Sequence, residues 1–110
     1  MSTNPSATPT AEAWHRVADS DELADGSLKE VVVAGTVLVL TRIGSRYGAL
    51  NNQCPHAGGP LAQGSLENGL LVCPWHGREY DPLTGNCEGY ADSVRAYRVD
   101  VRADGIYVAM

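Results

Sequence analysis

From Lys29 onward, short β-branched apolar runs alternate with turn residues, which is the pattern of strands. "KEVVVAG" (29–35) and "TVLVLTRI" (36–43) are two such runs, with Gly35 turning the chain between them. "SRYGAL" (45–50) follows the Gly44-Ser45 turn. "GLLVC" (69–73) follows Glu67-Asn68 and runs straight into Cys73. Near the C-terminus "SVRAYRVDVRA" (93–103) alternates through Val94, Ala96, Val99 and Val101, losing step at Tyr97. Asp104-Gly105 then turns the chain into "IYVA", which predicts a hairpin. No long 3.6-residue period follows "SDEL" (20–23), which is expected to form one helical turn capped by Ser20. The predicted fold class is all-β, a set of short antiparallel strands making a small sandwich or barrel.

Two stretches fall outside this frame. Residues 1–13 are rich in Ser, Thr, Pro and Ala and are expected to form a disordered leader before a single domain at 14–110. Between Asn51 and about Tyr90 the strand pattern gives way to irregular chain holding all three Cys and Gly58, Gly59, Gly64, Gly69, Gly77 and Gly85. Irregular, glycine-rich chain hung on a strand frame is where function concentrates, so 51–90 is the expected working part. The net charge of −5 lacks the basic face that nucleic acid requires. No run reaches the roughly 18 apolar residues of a membrane span. The leader has neither a basic start nor an apolar stretch, so a cytoplasmic chain is expected, with Cys serving as ligands or free thiols.

The chemistry sits in two short pieces, "CPH" at 54–56 and "CPWH" at 73–76, with sixteen residues between His56 and Cys73. Each offers one thiolate and one imidazole. Each also has a Pro directly after its Cys, which stiffens the loop. Gly58-Gly59 and Gly77 follow the two His and allow the backbone close to a bound group. A single structural Zn usually draws Cys from one knuckle and His from another. Mixed loops suit two metals better, with both thiolates on one ion and both imidazoles on its neighbour. A mononuclear Zn or Fe site remains open on the residues alone. Cys as plain small hydrophobes would leave the paired His without a reason.

At these residues the chain resembles the Rieske [2Fe-2S] family, through CxH, sixteen residues, then CxxH, with "GGPL" and "YDPLTG" flanking them. The resemblance implies one [2Fe-2S] cluster held by Cys54, His56, Cys73 and His76. It also distinguishes branches. Family members of the cytochrome bc type carry an additional Cys in each loop, joined as a disulfide; those positions are Gly59 and Trp75 here. The chain is therefore similar to the ferredoxin branch. High-potential members place Ser and Tyr hydroxyls near the sulfurs, at positions held here by Arg78 and Tyr80. Two ferric ions cancel the charge of two sulfides and two thiolates, so reduction starts from a neutral core. That places the potential above all-Cys clusters, within about −150 to +300 mV. Loss of the Ser donor and retention of Tyr80 imply a low to middling value. Each ligand His keeps a ring nitrogen free, which implies a potential falling at high pH. Trp75 is expected at the cluster rim, as a shield or as part of a docking face. Cys87 and His15 carry no ligand role.

Three His cannot supply both a cluster and a second iron triad, so no enzyme site and no small-molecule substrate are expected. The resemblance implies a soluble one-electron carrier between a flavin-dependent NAD(P)H reductase and a terminal oxygenase, docking transiently through an acidic surface. A small subunit of a larger reductase, such as a nitrite reductase, is the alternative. A metal-stabilised binding module is a third reading.

Overall fold

The computed structural model describes residues 13–54, 58–75, 77–87, 89 and 93–110. Its strands are β1 (Trp14–Ala18), β2 (Leu28–Val33), β3 (Thr36–Ile43), β4 (Arg46–Asn51), β5 (Ser65–Glu67), β6 (Leu70–Val72), β7 (Glu79–Tyr80), β8 (Ala96–Tyr97), β9 (Val99–Arg102) and β10 (Gly105–Ala109). A 3₁₀ turn spans Leu61–Gln63. The strands form three antiparallel sheets, ordered β1-β10-β9, β2-β3-β4-β8 and β5-β6-β7. The all-β expectation holds. Among the described residues no helix is long and apolar enough to cross a membrane.

The four-stranded sheet is the middle layer, and its sequence shows why. A strand covered on both faces reads as a continuous apolar run rather than an alternation. In β3, Leu38 and Leu40 enter a core shared with Val31, Val33, Ala49, Ile106 and Val108. Val39, between them, enters a second core with Leu50, Cys54, Leu61, Leu71, Cys73, Tyr80, Cys87 and Val94. Leu38, Leu40 and Leu50 are fully buried. Each such side chain stabilises the fold by about 1.5–3 kcal/mol relative to exposure. The first core joins the middle sheet to the β1-β10-β9 sheet. The second holds two of the candidate ligands, so the site is built onto a packed face.

Several local expectations are corrected. "SDEL" makes a turn and no helix, and the hydrogen bonds that close it involve the Asp19 backbone rather than a Ser20 cap. The Glu22 N–H donates to the Asp19 carbonyl (3.0 Å), and the Asp19 N–H donates back to Glu22 Oε1 (2.9 Å). Ser20 Oγ instead donates to the Ala103 carbonyl. The run at 93–103 is two strands in two sheets: Ala96 and Tyr97 pair with β4, while Val99–Arg102 pairs with β10. The step lost at Tyr97 is where the chain leaves one sheet for the other.

The C-terminal hairpin turns through Ala103 and Asp104, with Gly105 already paired to Arg102. Glycine is needed there for a different reason: a Cβ would come within 2.6 Å of Arg16 Nε and 2.8 Å of the Ala18 carbonyl oxygen on β1. Ala13, the last residue of the expected leader, exchanges two hydrogen bonds with Met110 (2.9 and 3.0 Å) and extends the β1–β10 pairing. The rest of that leader lies outside the described residues.

Candidate metal centre

Two loops of one build carry Cys54 and Cys73. The Cys54 N–H donates to the Gly59 carbonyl (2.9 Å), and the Cys54 carbonyl accepts from the Gly58 N–H (2.6 Å). At the same offsets, the Cys73 N–H donates to the Arg78 carbonyl (2.8 Å) and the Cys73 carbonyl accepts from the Gly77 N–H (3.0 Å). Gly58 and Gly77 hold φ of 76° and 75°, a region only glycine enters without strain. Each loop is thus a closed ring with a Cys at its head and its left-handed glycine in the fifth place. The expected ligands His56 and His76 fall inside these rings in sequence but lie outside the described residues.

The frame fixes both rings. The first follows β4 and is clamped by the Gln53–Pro60 bridge and by the Leu61 N–H donating to the Asn52 carbonyl (2.7 Å). The second joins β6 to β7, whose pairing sets Tyr80 opposite Leu71. From there the Tyr80 hydroxyl lies 3.2 Å from Cys54 Sγ, both groups being buried. With Cys54 as a thiolate, the hydroxyl is the donor. Burial foremost, then the hydrogen bond to Cys54 and the nearby Cys charges, push the Tyr80 hydroxyl above its ordinary pKa. Tyr80 therefore stays a protonated donor at any neutral pH.

Gly59 faces the second loop. A Cβ placed on it would meet two indole carbons of Trp75 at 2.9 Å and Cys73 Sγ at 3.4 Å. The two positions that the bc-type resemblance links by a disulfide therefore touch here, as glycine backbone against indole. Trp75 is 57% exposed, whereas Cys54 and Cys73 are each 1% exposed.

The structure brings Cys54, Cys73, Tyr80, Gly59 and Trp75 together, with Gly77 closing the second ring. Arg78 serves through its carbonyl and is half-buried. His15 is on β1, paired with Val108, in the sheet on the opposite side of the middle layer. Cys87 is buried in the second core and bridges backbone to backbone with Tyr80. Asp81 supports the site from outside the expected residues: its Oδ1 accepts from the Leu83 and Thr84 N–H groups (2.8 and 3.3 Å). The Asp81 carbonyl accepts from the Gly85 N–H. The Asp-Pro-Leu-Thr-Gly order was its signal, an Asx turn that closes a tight loop behind Tyr80.

Cys54 and Cys73 are not joined in a disulfide. Buried, each heading a hydrogen-bonded ring, and with one facing a hydroxyl, they form a soft donor pair suited to iron–sulfur ligation.

Known proteins share the fold and the family. The family described as Rieske [2Fe-2S] domain matches residues 13–99. Apoptosis-inducing factor 3 of Homo sapiens is 33% identical over 89 residues, covering 79% of this chain but 15% of that protein. The chain thus spans a small part of the curated relatives it first matches. Solved ferredoxins are similar in length. The ferredoxin of carbazole 1,9a-dioxygenase from Nocardioides aromaticivorans superposes with a TM-score of 0.80 at 31% identity, covering 87% of this chain and 96% of that one. A chain from the complex of reduced oxygenase and oxidised ferredoxin in carbazole 1,9a-dioxygenase gives 0.78 at 25% identity, covering 87% and 92%.

Proposed function

The chain belongs to the Rieske [2Fe-2S] domain family, and on that premise we propose that it carries single electrons to a terminal oxygenase and performs no substrate chemistry itself. The observation that carries the reading is the pair of matched rings. They hold two buried thiols in one core and are joined by the Gly59–Trp75 contact. In this reading Cys54 and Cys73 hold one iron, and His56 and His76 hold the other. The bound cluster supplies one-electron redox chemistry at neutral starting charge.

The chain's own residues do the rest. Gly58 and Gly77, at φ of 76° and 75°, make the turns that let the Cys54 and Cys73 carbonyls accept from their N–H groups. Tyr80 donates to the Cys54 sulfur, an interaction that strengthens as negative charge accumulates there. Both thiols are buried among the apolar side chains of the second core.

An oxygenase as acceptor is supported by the likeness to the ferredoxin in the carbazole dioxygenase complex, of whose length the chain covers 92%. A flavin-dependent NAD(P)H reductase is the proposed donor, and the cytoplasm the proposed site of action. A net charge of −5 suits transient docking on a basic patch, with an on-rate that falls as salt rises.

The test is iron and sulfide analysis of anaerobically purified wild type and Cys73→Ser. Two irons and two sulfides per chain in the wild type, and loss of the cluster in the variant, support the reading. A variant still holding two irons contradicts the ligand assignment.

A further inference from the structure

Trp75 has one indole face in solvent and the other against the first ring. It is 57% exposed, yet Gly59 beneath it and Cys73 two positions before it are buried. The point directly above the Gly59 Cα touches both the indole (2.9 Å) and Cys73 Sγ (3.4 Å). Glycine backbone, indole and thiol therefore meet at one place. The indole presents an apolar face with a single donor at its edge, so where it sits water cannot donate to sulfur. Any side chain at 59 would occupy the seat.

We propose that Trp75 is a lid residue. Anchored in the second ring and seated on the Gly59 backbone, it screens the Cys73 sulfur from water, and so sets both how long the cluster is retained and its potential. The proposal rests on the two-iron reading above. Two consequences follow from the geometry. Opening the lid admits water to the sulfur, and added hydrogen bonds to sulfur raise the reduction potential. It also admits chelator to the metal.

Removing the indole and filling its seat are two ways of opening one lid. Trp75→Ala and Gly59→Ala should therefore be coupled, whereas independent defects would add. Trp75→Phe keeps a flat apolar face and should largely close the lid again.

The experiment follows chelator-driven bleaching of the visible absorption and the midpoint potential in wild type, W75A, W75F, G59A and the W75A/G59A pair. Iron is counted in each before the start. The expected result is severalfold faster bleaching and a raised potential in W75A and in G59A, near-wild-type values in W75F, and a double variant no faster than the faster single. Unchanged bleaching and potential in W75A, or effects that multiply in the double variant, overturn the lid. If W75A does not assemble, G59A decides, because it retains the indole: a wild-type rate there overturns the proposal. Wild type with an iron count other than two overturns the cluster reading and the lid together. Two-iron wild type with indifferent variants overturns the lid alone.

Discussion

The Tyr80 hydroxyl lies 3.2 Å from the Cys54 sulfur, although the two residues belong to different sheets' margins and are 26 positions apart in the chain. Tyr80 is held by its pairing with Leu71, and Cys54 by the ring that follows β4. The hydrogen bond thus ties the first ring to the strand leading out of the second. In the proposed reading it is also a lever on the redox chemistry, because a donor to sulfur favours the more negative, reduced state.

Tyr80→Phe removes the donor and keeps the buried ring. The reduction potential should fall, by about 40 mV if the bond is about 1 kcal/mol stronger in the reduced state. Iron content should stay at wild-type level. Protein-film voltammetry checks this, and a potential that is unchanged or raised would remove Tyr80 from the tuning of the cluster.

The same hydroxyl gives a pH prediction. Its folded pKa is raised above the ordinary value near 10, so the folded chain holds that proton where the unfolded chain releases it. The stabilisation is fully present below about pH 10 and is lost as pH rises through the higher folded value. Urea unfolding at successive alkaline pH values should show wild type losing stability more steeply than Tyr80→Phe. Parallel curves would deny the shift.

Gly59 and Trp75 predict a crosslink. A Gly59→Cys/Trp75→Cys pair places two Cβ atoms within disulfide reach. Oxidation should consume both new thiols, and closing a loop of about 15 residues should stabilise the chain by about 3 kcal/mol. Thiol titration and thermal unfolding report both effects. Thiols that stay free under oxidant would contradict the face-to-face placement of the rings.

Leu50 and Val32 test the two-sided middle sheet. Leu50 is fully buried beneath the site, whereas Val32 on β2 is 65% exposed. Leu50→Ala should cost about 2–5 kcal/mol through its cavity. Val32→Ala should change stability by less than about 0.5 kcal/mol. Urea midpoints of similar size for both would mean that the sheet is not covered as described.

Much of this was legible in the chain, for reasons the residues show. β2 and β3 stood out as β-branched runs separated by Gly35, and β4 as the segment that follows the Gly44-Ser45 turn. "VLVL" marked β3 as a strand, and only the packing shows that both of its faces are covered. Cys54, Gly58, Cys73 and Gly77 drew attention because the spacing of the two short pieces is a local property, while His56 and His76 lie outside the described residues. β1 was missed, since "WHRVA" is a strand only by virtue of pairing with β10 some 90 residues later. The division of 93–103 between sheets was hidden for the same reason, with only the broken step at Tyr97 as a trace. The Gly59–Trp75 and Tyr80–Cys54 contacts are long-range juxtapositions that no local pattern encodes; only the family resemblance pointed to them.

The proposed division of donors is unequal, with Cys54 and Cys73 on one iron and His56 and His76 on the other. Mössbauer spectroscopy of the oxidised chain, loaded with isotopically enriched iron, addresses it directly. Two quadrupole doublets of equal area with distinct isomer shifts are predicted, one from an all-sulfur site and one from a mixed nitrogen–sulfur site. A single doublet, from equivalent irons or from one iron per chain, would contradict it.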